Sequence, residues 1–148
     1  LHPMQELYNA ENRGRFFPEG CRYDYIVDAI DLVSCKLDLA ETARRLKIPL
    51  MMALGTGNKL DPSQLRLADI SETYGCPLAR VMRKELRNRG ICRQPVVFSP
   101  EQPAPTTQRE TPPPGRRSVP ASNPWVPAVA GLLIGSKVVR DLIANKGV

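Results

Sequence analysis

Apolar and polar positions follow one another along most of the chain in runs that predict strands and helices. Residues 23–31 are rich in aromatic and β-branched side chains and end in carboxylates, which predicts a buried parallel strand. Residues 33–46 carry apolar side chains at helical spacing, and residues 48–54 form a second apolar run. Strand, helix and strand within about thirty residues are typical of the βαβ unit of a parallel sheet.

Three further elements are expected before residue 100. Residues 65–70 alternate apolar with other side chains, which predicts an edge strand. Residues 77–89 are expected to form a helix, because Pro77 is tolerated at the first helical position and Gly90 follows the run. Residues 95–99 form one more apolar strand. The order of elements predicts an α/β fold with a mixed, mostly parallel sheet and flanking helices.

Two further predictions concern the start of the chain and the cap of the first long helix. Residues 1–7 are expected to be the end of a strand, and residues 9–17 a short polar helix or turn. Ser34 or Asp31 is expected to cap the helix over residues 33–46, because both side chains can accept hydrogen bonds from the first free amides.

Composition divides the chain into three parts. Residues 1–100 carry the predicted strands and helices, and residues 101–122 are rich in Pro, Thr, Gln and Arg, which predicts a flexible linker or surface loop. Residues 123–148 contain an apolar helical tail whose uncharged run is too short to span a bilayer. Gly131 and Gly135 would let another backbone approach this tail. We therefore expect it to pack against the sheet or a partner subunit, without a transmembrane span.

Charge and cysteine content narrow the class of protein only a little. The chain has 148 residues and a net charge of +6, which permits an acidic partner such as RNA, although many proteins are basic without binding one. The spacing of the four cysteines matches no zinc pattern, and a chain of this length with a usable core does not need disulfides. A reducing cytoplasm is therefore the expected location. The chain lacks an initiator Met and a signal peptide, so we expect it to begin in mid-protein.

A first candidate site lies where the strand over residues 23–31 ends. Ligands of open parallel sheets bind at the carboxyl ends of the strands, where Asp28 and Asp31 are expected, with Lys36 one turn into the next helix. A carboxylate there can hold Mg²⁺ beside nucleotide phosphates, because hard cations prefer oxygen ligands. The alternative is that Asp31 caps the helix and Asp28 only ends the strand.

The loop over residues 55–59 is a second candidate. Its two glycines permit close approach to a ligand, and exposed amides bind anions, although a tight turn explains the same pattern. The chain contains neither a GxGxxG motif nor a P-loop, so the usual phosphate-binding loops are absent from this sequence.

The predicted helix over residues 77–89 carries a stripe of four cations at helical spacing: Arg80, Arg83, Lys84 and Arg87. Such a stripe suits a phosphate backbone and would make RNA binding salt-dependent, but it would also suit a solvated face. Cys76 precedes this helix, where a helix N-terminus and nearby arginines favour a thiolate. It is therefore either a nucleophile or sulfur carrier, or a structural cysteine.

Three stretches of the chain match one known family in order and spacing. They are YDYIVDAIDLVSCK over residues 23–36, LGTGNKLDP over residues 54–62 and CPLARVMRKELRNRG over residues 76–90, with residues 126–132 resembling the start of the family's C-terminal helix. Together they resemble the tRNA threonylcarbamoyladenosine dehydratases, a branch of the ThiF/MoeB/HesA superfamily related to ubiquitin-activating E1 enzymes. The resemblance implies the C-terminal part of a Rossmann-like ThiF-type sheet, a homodimer, and ATP and Mg²⁺ as cofactors.

The resemblance also implies an activity and the residues that carry it. The family activates the carboxylate of threonylcarbamoyladenosine at position 37 of tRNA as an acyl-adenylate, which cyclises with loss of AMP. The superfamily's Asp-x-x-Asp-Asn motif falls on Asp28, Asp31 and Leu32, where Leu32 replaces the Asn and Asp31 takes the place of the catalytic carboxylate that supports Mg²⁺ and ATP. Cys76 lies where sulfur-handling relatives place a reactive cysteine, which would imply a sulfur-transfer partner.

The family's Gly-rich ATP loop and its phosphate-binding Arg and Lys lie upstream of the matching stretches, and this sequence contains neither. The resemblance therefore implies that the chain alone does not bind ATP usefully and is inactive by itself. Two alternatives remain. The chain is a basic fragment that binds tRNA, rather than DNA, without catalysis, or it belongs to another E1-like enzyme that activates a sulfur carrier or a ubiquitin-like protein.

Overall fold

The described residues fold around a four-stranded sheet. The computed structural model describes residues 2–105, 107, 111–112 and 119–145. The strands are β1 (Ile26–Asp28), β2 (Leu50–Ala53), β3 (Arg66–Asp69) and β4 (Pro95–Phe98), arranged in the order β1-β2-β4-β3. Strands β1, β2 and β4 are parallel, and the edge strand β3 runs antiparallel to β4. The predicted mixed, mostly parallel sheet is confirmed.

In the described part of the chain, four α-helices accompany the sheet: α1 (Arg13–Phe16), α2 (Val33–Leu46), α3 (Pro77–Asn88) and α4 (Trp125–Asn145). Short 3₁₀ helices cover Pro62–Gln64 and Ile70–Glu72. Helix α2 links β1 to the parallel strand β2, as expected for a βαβ unit. The N-cap of α2 is Leu32, whose side chain makes no capping hydrogen bond, so the prediction that Ser34 or Asp31 would be the N-cap is wrong.

The sheet is covered on both faces, which gives three layers. Neighbouring residues of a strand point to opposite faces, so Met52 and Val96 join the core under α2 and α3, while Met51 and Val97 pack under α4. Val126, Ala130 and Ile134 are the buried residues of α4 on that second face. The expected packing of the C-terminal helix on the sheet is confirmed. No helix in the described part of the chain is long and apolar enough to cross a membrane.

Two sequence predictions differ from the structure near the N-terminus. Strand β1 is shorter than residues 23–31, because its pairing with β2 runs only from Ile26 to Asp28. It lies at the sheet edge and leaves Val27 49% exposed, so it is not the fully buried strand that was expected. The described residues 2–7 form no strand, because this segment has no pairing partner and leaves its apolar side chains exposed.

Candidate functional site

A cleft of about 630 Å³ lies at the carboxyl ends of β1 and β2. Its walls are residues 29–31 after β1, residues 53–59 at the end of β2, residues 76–78 at the start of α3, and the inner face of α4. Pro103 and residues 120–122, from the two ends of the proline-rich segment, complete the lining. The structure thus brings together Asp31, the loop over residues 55–59 (the glycine loop) and Cys76, which the sequence suggested as three separate candidates.

Asp31 is the carboxylate of this cleft. Strand β1 ends at Asp28 and α2 begins at Val33, so the chain turns over residues 29–32 at the sheet edge. The turn leaves Asp31 exposed on the cleft wall, with Leu32 beside it as the N-cap of α2. This position fits a residue that meets a ligand in the cleft.

Asp28 and Lys36 lie beneath the cleft, each with a fully buried side chain at 0% exposure. Lys36 Nζ lies 2.9 Å from Asp28 Oδ2 and donates a hydrogen bond of 2.9 Å to the carbonyl of Ile30. The Ile30 amide donates in turn to Asp28 Oδ1 at 2.9 Å. Asp28 Oδ2 is close enough to Lys36 Nζ for an ion pair, but the geometry of the contact is not that of a hydrogen bond. A direct contact between either side chain and a bound nucleotide would therefore require the pair to open.

Asn58 joins the glycine loop to both ends of the proline-rich segment through backbone and side-chain hydrogen bonds. The Asn58 amide donates to the carbonyl of Ala121 at 2.8 Å, and the Ala121 amide donates to Asn58 Oδ1 at 2.7 Å. The amide of Ala104 donates to the Asn58 carbonyl at 2.7 Å. Asn58 has a left-handed backbone with φ of 58°, which Asn tolerates better than most residues. A Cβ on Gly57 would lie 2.7 Å from the Cβ of Pro120, so this close approach requires glycine.

Lys59 extends the same attachment. The residue is only 2% exposed, and its Nζ donates to the carbonyls of Ser99 and Glu101. The Glu101 carboxylate accepts hydrogen bonds from the amides of residues 60 and 61, and Asn123 Nδ2 donates to the Lys59 carbonyl at 2.6 Å. The described ends of the predicted linker are therefore bonded to the cleft wall. Residues 106, 108–110 and 113–118 of this segment lie outside the described residues.

Sequence reasoning missed the roles of Asn58, Lys59, Glu101 and Asn123. One local signal existed, because Asn after Gly is typical of a left-handed turn position. Their partners lie about forty to sixty positions away in the chain, and no periodic pattern marks contacts of that range.

Cys76 is buried in the cleft wall at 4% exposure and is the N-cap of α3, without a side-chain capping bond. Gly75 precedes it with φ of +68°, and a Cβ there would lie 2.5 Å from the Pro100 carbonyl oxygen. The thiol would have to move to meet a large substrate. This burial favours the structural reading of Cys76 over that of a nucleophile.

The cationic stripe on α3 is divided by the structure into two groups. Arg80, Lys84 and Arg87 are exposed along the helix. Arg83 is half-buried and donates to both the carbonyl and the hydroxyl of Thr73, each at 2.6 Å. Helix α3 starts in the cleft wall, so the three exposed cations lead away from the cleft along the surface.

A second cleft, of about 560 Å³, lies near the opposite end of the strands and contains none of the predicted site residues. The Tyr25 hydroxyl donates to Asp141 Oδ2 at 2.9 Å on its border. Burial and this carboxylate raise the pKa of Tyr25 to about 12. Among the described residues, no group of three or more His, Cys, Asp or Glu side chains is arranged to hold a metal ion.

Comparison with known proteins points to one family of enzymes. No family model matches the chain. The tRNA threonylcarbamoyladenosine dehydratase of Bacillus subtilis is 36% identical over 151 residues, which cover 96% of this chain and 59% of the relative. The chain corresponds to the C-terminal part of such relatives.

Solved structures agree with this comparison. The Escherichia coli enzyme TcdA, a tRNA N6-threonylcarbamoyladenosine dehydratase in complex with ATP, superposes with a TM-score of 0.78 at 27% identity. The match covers 97% of this chain and 57% of TcdA. Its complex with AMP gives a TM-score of 0.79 at 26% identity, with the same coverage. The chain thus spans less than two thirds of the length of the relatives it matches.

Proposed function

Because the chain belongs to the tRNA threonylcarbamoyladenosine dehydratase family, we propose that it supplies one wall of the site where ATP activates the carboxylate of threonylcarbamoyladenosine in tRNA. The observation that carries this proposal is the cleft at the carboxyl ends of β1 and β2. It places the exposed carboxylate of Asp31 beside the glycine loop and the start of a cationic helix. Ligands of open parallel sheets bind at this edge.

The chemistry needs positioned groups more than reactive ones. Transfer of the AMP moiety of ATP to the substrate carboxylate releases pyrophosphate and converts a poor leaving oxygen into a good one. A nucleophile of the same substrate then attacks the activated carbonyl, closes the ring and expels AMP. Mg²⁺ beside nucleotide phosphates is commonly held through one or two carboxylates and water. The donor set fits this mode, because Asp31 offers one exposed carboxylate and the described residues form no larger cluster. Asp31 would then hold the cation that neutralises phosphate charge.

ATP binding is expected to need residues that this chain lacks, because it has no Gly-rich phosphate loop. Calorimetry of the chain with ATP and Mg²⁺ tests this directly. We expect no saturable heat at micromolar nucleotide. Micromolar affinity of the chain alone would contradict this part of the proposal.

The role of Asp31 can be tested in this chain joined to the N-terminal part of the Bacillus subtilis dehydratase. Asp31→Asn should lower the rate of cyclic product formation by about 100-fold or more, since it removes a charge placed for the transition state. Mass spectrometry of digested tRNA measures the product. The exposed Asp24, outside the cleft lining, provides the control Asp24→Asn, which should retain activity. Unchanged turnover in Asp31→Asn would remove Asp31 from the mechanism.

The alternative function, tRNA binding without catalysis, is favoured by one observation, the three exposed cations of α3. Substituting Arg80, Lys84 and Arg87 with Ala should weaken tRNA binding and lower the slope of log K against log salt by about one for each phosphate that the variant no longer binds. Arg66, exposed on the edge strand β3, gives the control Arg66→Ala. Arg83 is left unchanged because it donates hydrogen bonds to Thr73, so its loss would also disturb the fold. A triple variant that binds tRNA as before would mean that the stripe is a solvated face.

The same assays separate the remaining alternative, an E1-like enzyme that activates a sulfur carrier or a ubiquitin-like protein. Such chemistry would use an accessible thiol, and Cys76 is buried. Cys76→Ala in the joined protein should therefore keep tRNA-dependent AMP release. Loss of AMP release with an intact fold would return Cys76, and a sulfur-transfer partner, to consideration.

We also assign the expected homodimer contact to the outer face of α4. Leu132 is 73% exposed there, and Val139 and Ile143 are exposed on the same helix. A row of apolar side chains facing water favours association. Leu132→Gln should shift the sedimentation coefficient of the joined protein toward that of a monomer. A dimer of unchanged stability would place the contact elsewhere.

A further inference from the structure

We propose that Asp28 and Lys36 are positioning residues that hold the turn carrying Asp31, and that neither is a ligand for nucleotide or metal. The inference rests on the proposed function, because it takes Asp31 as the residue that must be held. The pair acts on the backbone of one residue of the turn, Ile30. Both backbone polar groups of Ile30 are bound by the buried pair, the amide by Asp28 Oδ1 and the carbonyl by Lys36 Nζ.

The turn between β1 and α2 belongs to neither of the regular elements that it joins. Strand pairing ends at Asp28, and the helix begins at Val33 after an N-cap that makes no side-chain bond. A segment between two regular elements adopts one conformation only if its backbone groups are satisfied in that conformation. The bonds at Ile30 fix the two peptide planes on either side of it. The second of these planes leads directly into Asp31.

The energetics of burial favour this role over one in stability. Removing two charges from water costs several kcal/mol for each ion, and an apolar pair of similar volume is often as stable or more so. An apolar pair cannot bind an N–H on one side and a C=O on the other. Apolar residues could therefore fill the space of Asp28 and Lys36, but they could not replace the two directed hydrogen bonds to Ile30.

The same geometry argues against a ligand role. Both side chains are at 0% exposure, and the cleft is lined by residues 29–31, above the pair. A phosphate or a hydrated Mg²⁺ would first have to displace the Ile30 peptide. Lys36 already uses one N–H on the Ile30 carbonyl and faces Asp28 Oδ2 at 2.9 Å.

Nuclear magnetic resonance of the labelled chain, without ATP or tRNA, tests the proposal. The double variant Asp28→Leu/Lys36→Met replaces the pair with apolar side chains. We expect the Ile30 amide to exchange with solvent at least about tenfold faster and the Asp31 amide signal to move, because the two bonds are gone. The amides of Ile91, which donates to the Leu86 carbonyl, and of Val96 in β4 should keep their protection, because neither is paired with a substituted residue. A general loss of structure would change all four signals together.

A second variant provides the rescue. Asp28→Asn/Lys36→Met is also uncharged, but its amide oxygen can still accept the Ile30 N–H. Protection of Ile30 should return toward that of the parent chain. Equal protection of Ile30 and an unmoved Asp31 signal in the apolar variant would overturn the proposal. If the apolar variant does not fold, the parent chain still decides: an Ile30 amide that exchanges as fast as that of the exposed Gly20 would overturn it.

Activity of the joined protein separates this inference from the proposed function. If Asp31 is catalytic and held by the pair, the apolar variant should lower kcat about tenfold or more and leave KM for tRNA unchanged. A large loss in Asp31→Asn with full kcat in the apolar variant would overturn the positioning role alone. Full activity in Asp31→Asn would overturn the proposed function, and the exchange data would then still show whether the pair holds Ile30.

Discussion

Two loops meet at the cleft, and they are held by different kinds of interaction. The loop over residues 29–32 is held by one buried ion pair whose members lie in β1 and α2. The loop over residues 54–61 is held by a network of hydrogen bonds to later segments of the chain. Asn58 makes uncharged bonds to residues 104 and 121, and Lys59 and Glu101 contribute charged groups. The first loop can therefore form within a single βαβ unit. The second requires chain that comes about fifty residues later, so it depends on the completed fold.

The largest effect is expected at the first loop. Lys36→Met would leave the Asp28 carboxylate buried without a counter-charge, and we expect the free energy of unfolding to fall by about 3–5 kcal/mol. The midpoint of urea unfolding measures this loss. Lys84→Met, on the exposed face of α3, is the matched control and should change stability by less than about 0.5 kcal/mol. A Lys36 variant as stable as the control would mean that Asp28 is solvated.

A smaller loss is expected at the second loop. Asn58→Ala removes the bond from the Ala121 amide and places on a left-handed backbone a residue that tolerates this conformation less well than Asn, which together cost about 2–3 kcal/mol. Asn58→Gly removes the bond but relieves the backbone, so it should lose only about 1 kcal/mol. Thermal unfolding compares the two. Equal losses would show that backbone conformation plays no part at this position.

Packing between the second loop and the proline-rich segment gives the next prediction. Gly57→Ala would force Pro120 away from the loop, at about 1–2 kcal/mol of unfolding free energy. Gly55→Ala is the control in the same loop, because its β-carbon would meet Leu78 at an ordinary 3.7 Å. Calorimetric unfolding of both variants measures the difference. If the two cost the same, Pro120 does not lie against Gly57 in solution.

The smallest effect is expected at the Asp38 carboxylate. Its titration sets the pH range in which the stability of loop variants should be compared. Burial opposes ionisation of Asp38, but hydrogen bonds from Arg13 and Tyr8 outweigh it and hold the pKa of Asp38 below its ordinary value. The stability that this carboxylate contributes is present above its unfolded pKa and is lost as pH falls through the lowered folded pKa. Asp38→Asn should remove about 1 kcal/mol at neutral pH and flatten the acid limb of stability against pH. An unchanged acid limb would assign acid unfolding to other carboxylates.

The same contrast explains what the sequence could predict. The βαβ unit, the bounds of α2 and the start of α3 follow from local periodicity and proline placement, and all are found in the structure. Asp31, the glycine loop and Cys76 were identifiable as candidates because each stands next to a predicted element. Their common cleft follows from the parallel arrangement of β1 and β2.

The rest depended on information that local patterns do not carry. A carboxylate at a strand end looks the same in sequence whether it faces solvent or turns inward, so the burial of Asp28 and Lys36 was not predictable. Arg83 occupies the same helical stripe as Arg80, but its bond to Thr73 depends on how the preceding 3₁₀ turn packs. Composition alone made residues 101–122 look like a linker, while the contacts of their described ends come from Asn58 and Lys59.

The burial of Lys59 makes its amine a chemical reporter for the cleft. Acylating reagents attack uncharged, accessible amines, so the exposed Lys47 and Lys84 should be labelled before Lys59 and Lys36. Label on Lys59 would record that the segment bearing Ser99 and Glu101 had come away from the glycine loop. Label on Lys36 would record opening of the turn at Ile30. The extent of labelling at Lys59 and at Lys36 in one peptide map would then report, separately, the opening of the glycine loop and of the turn at Ile30.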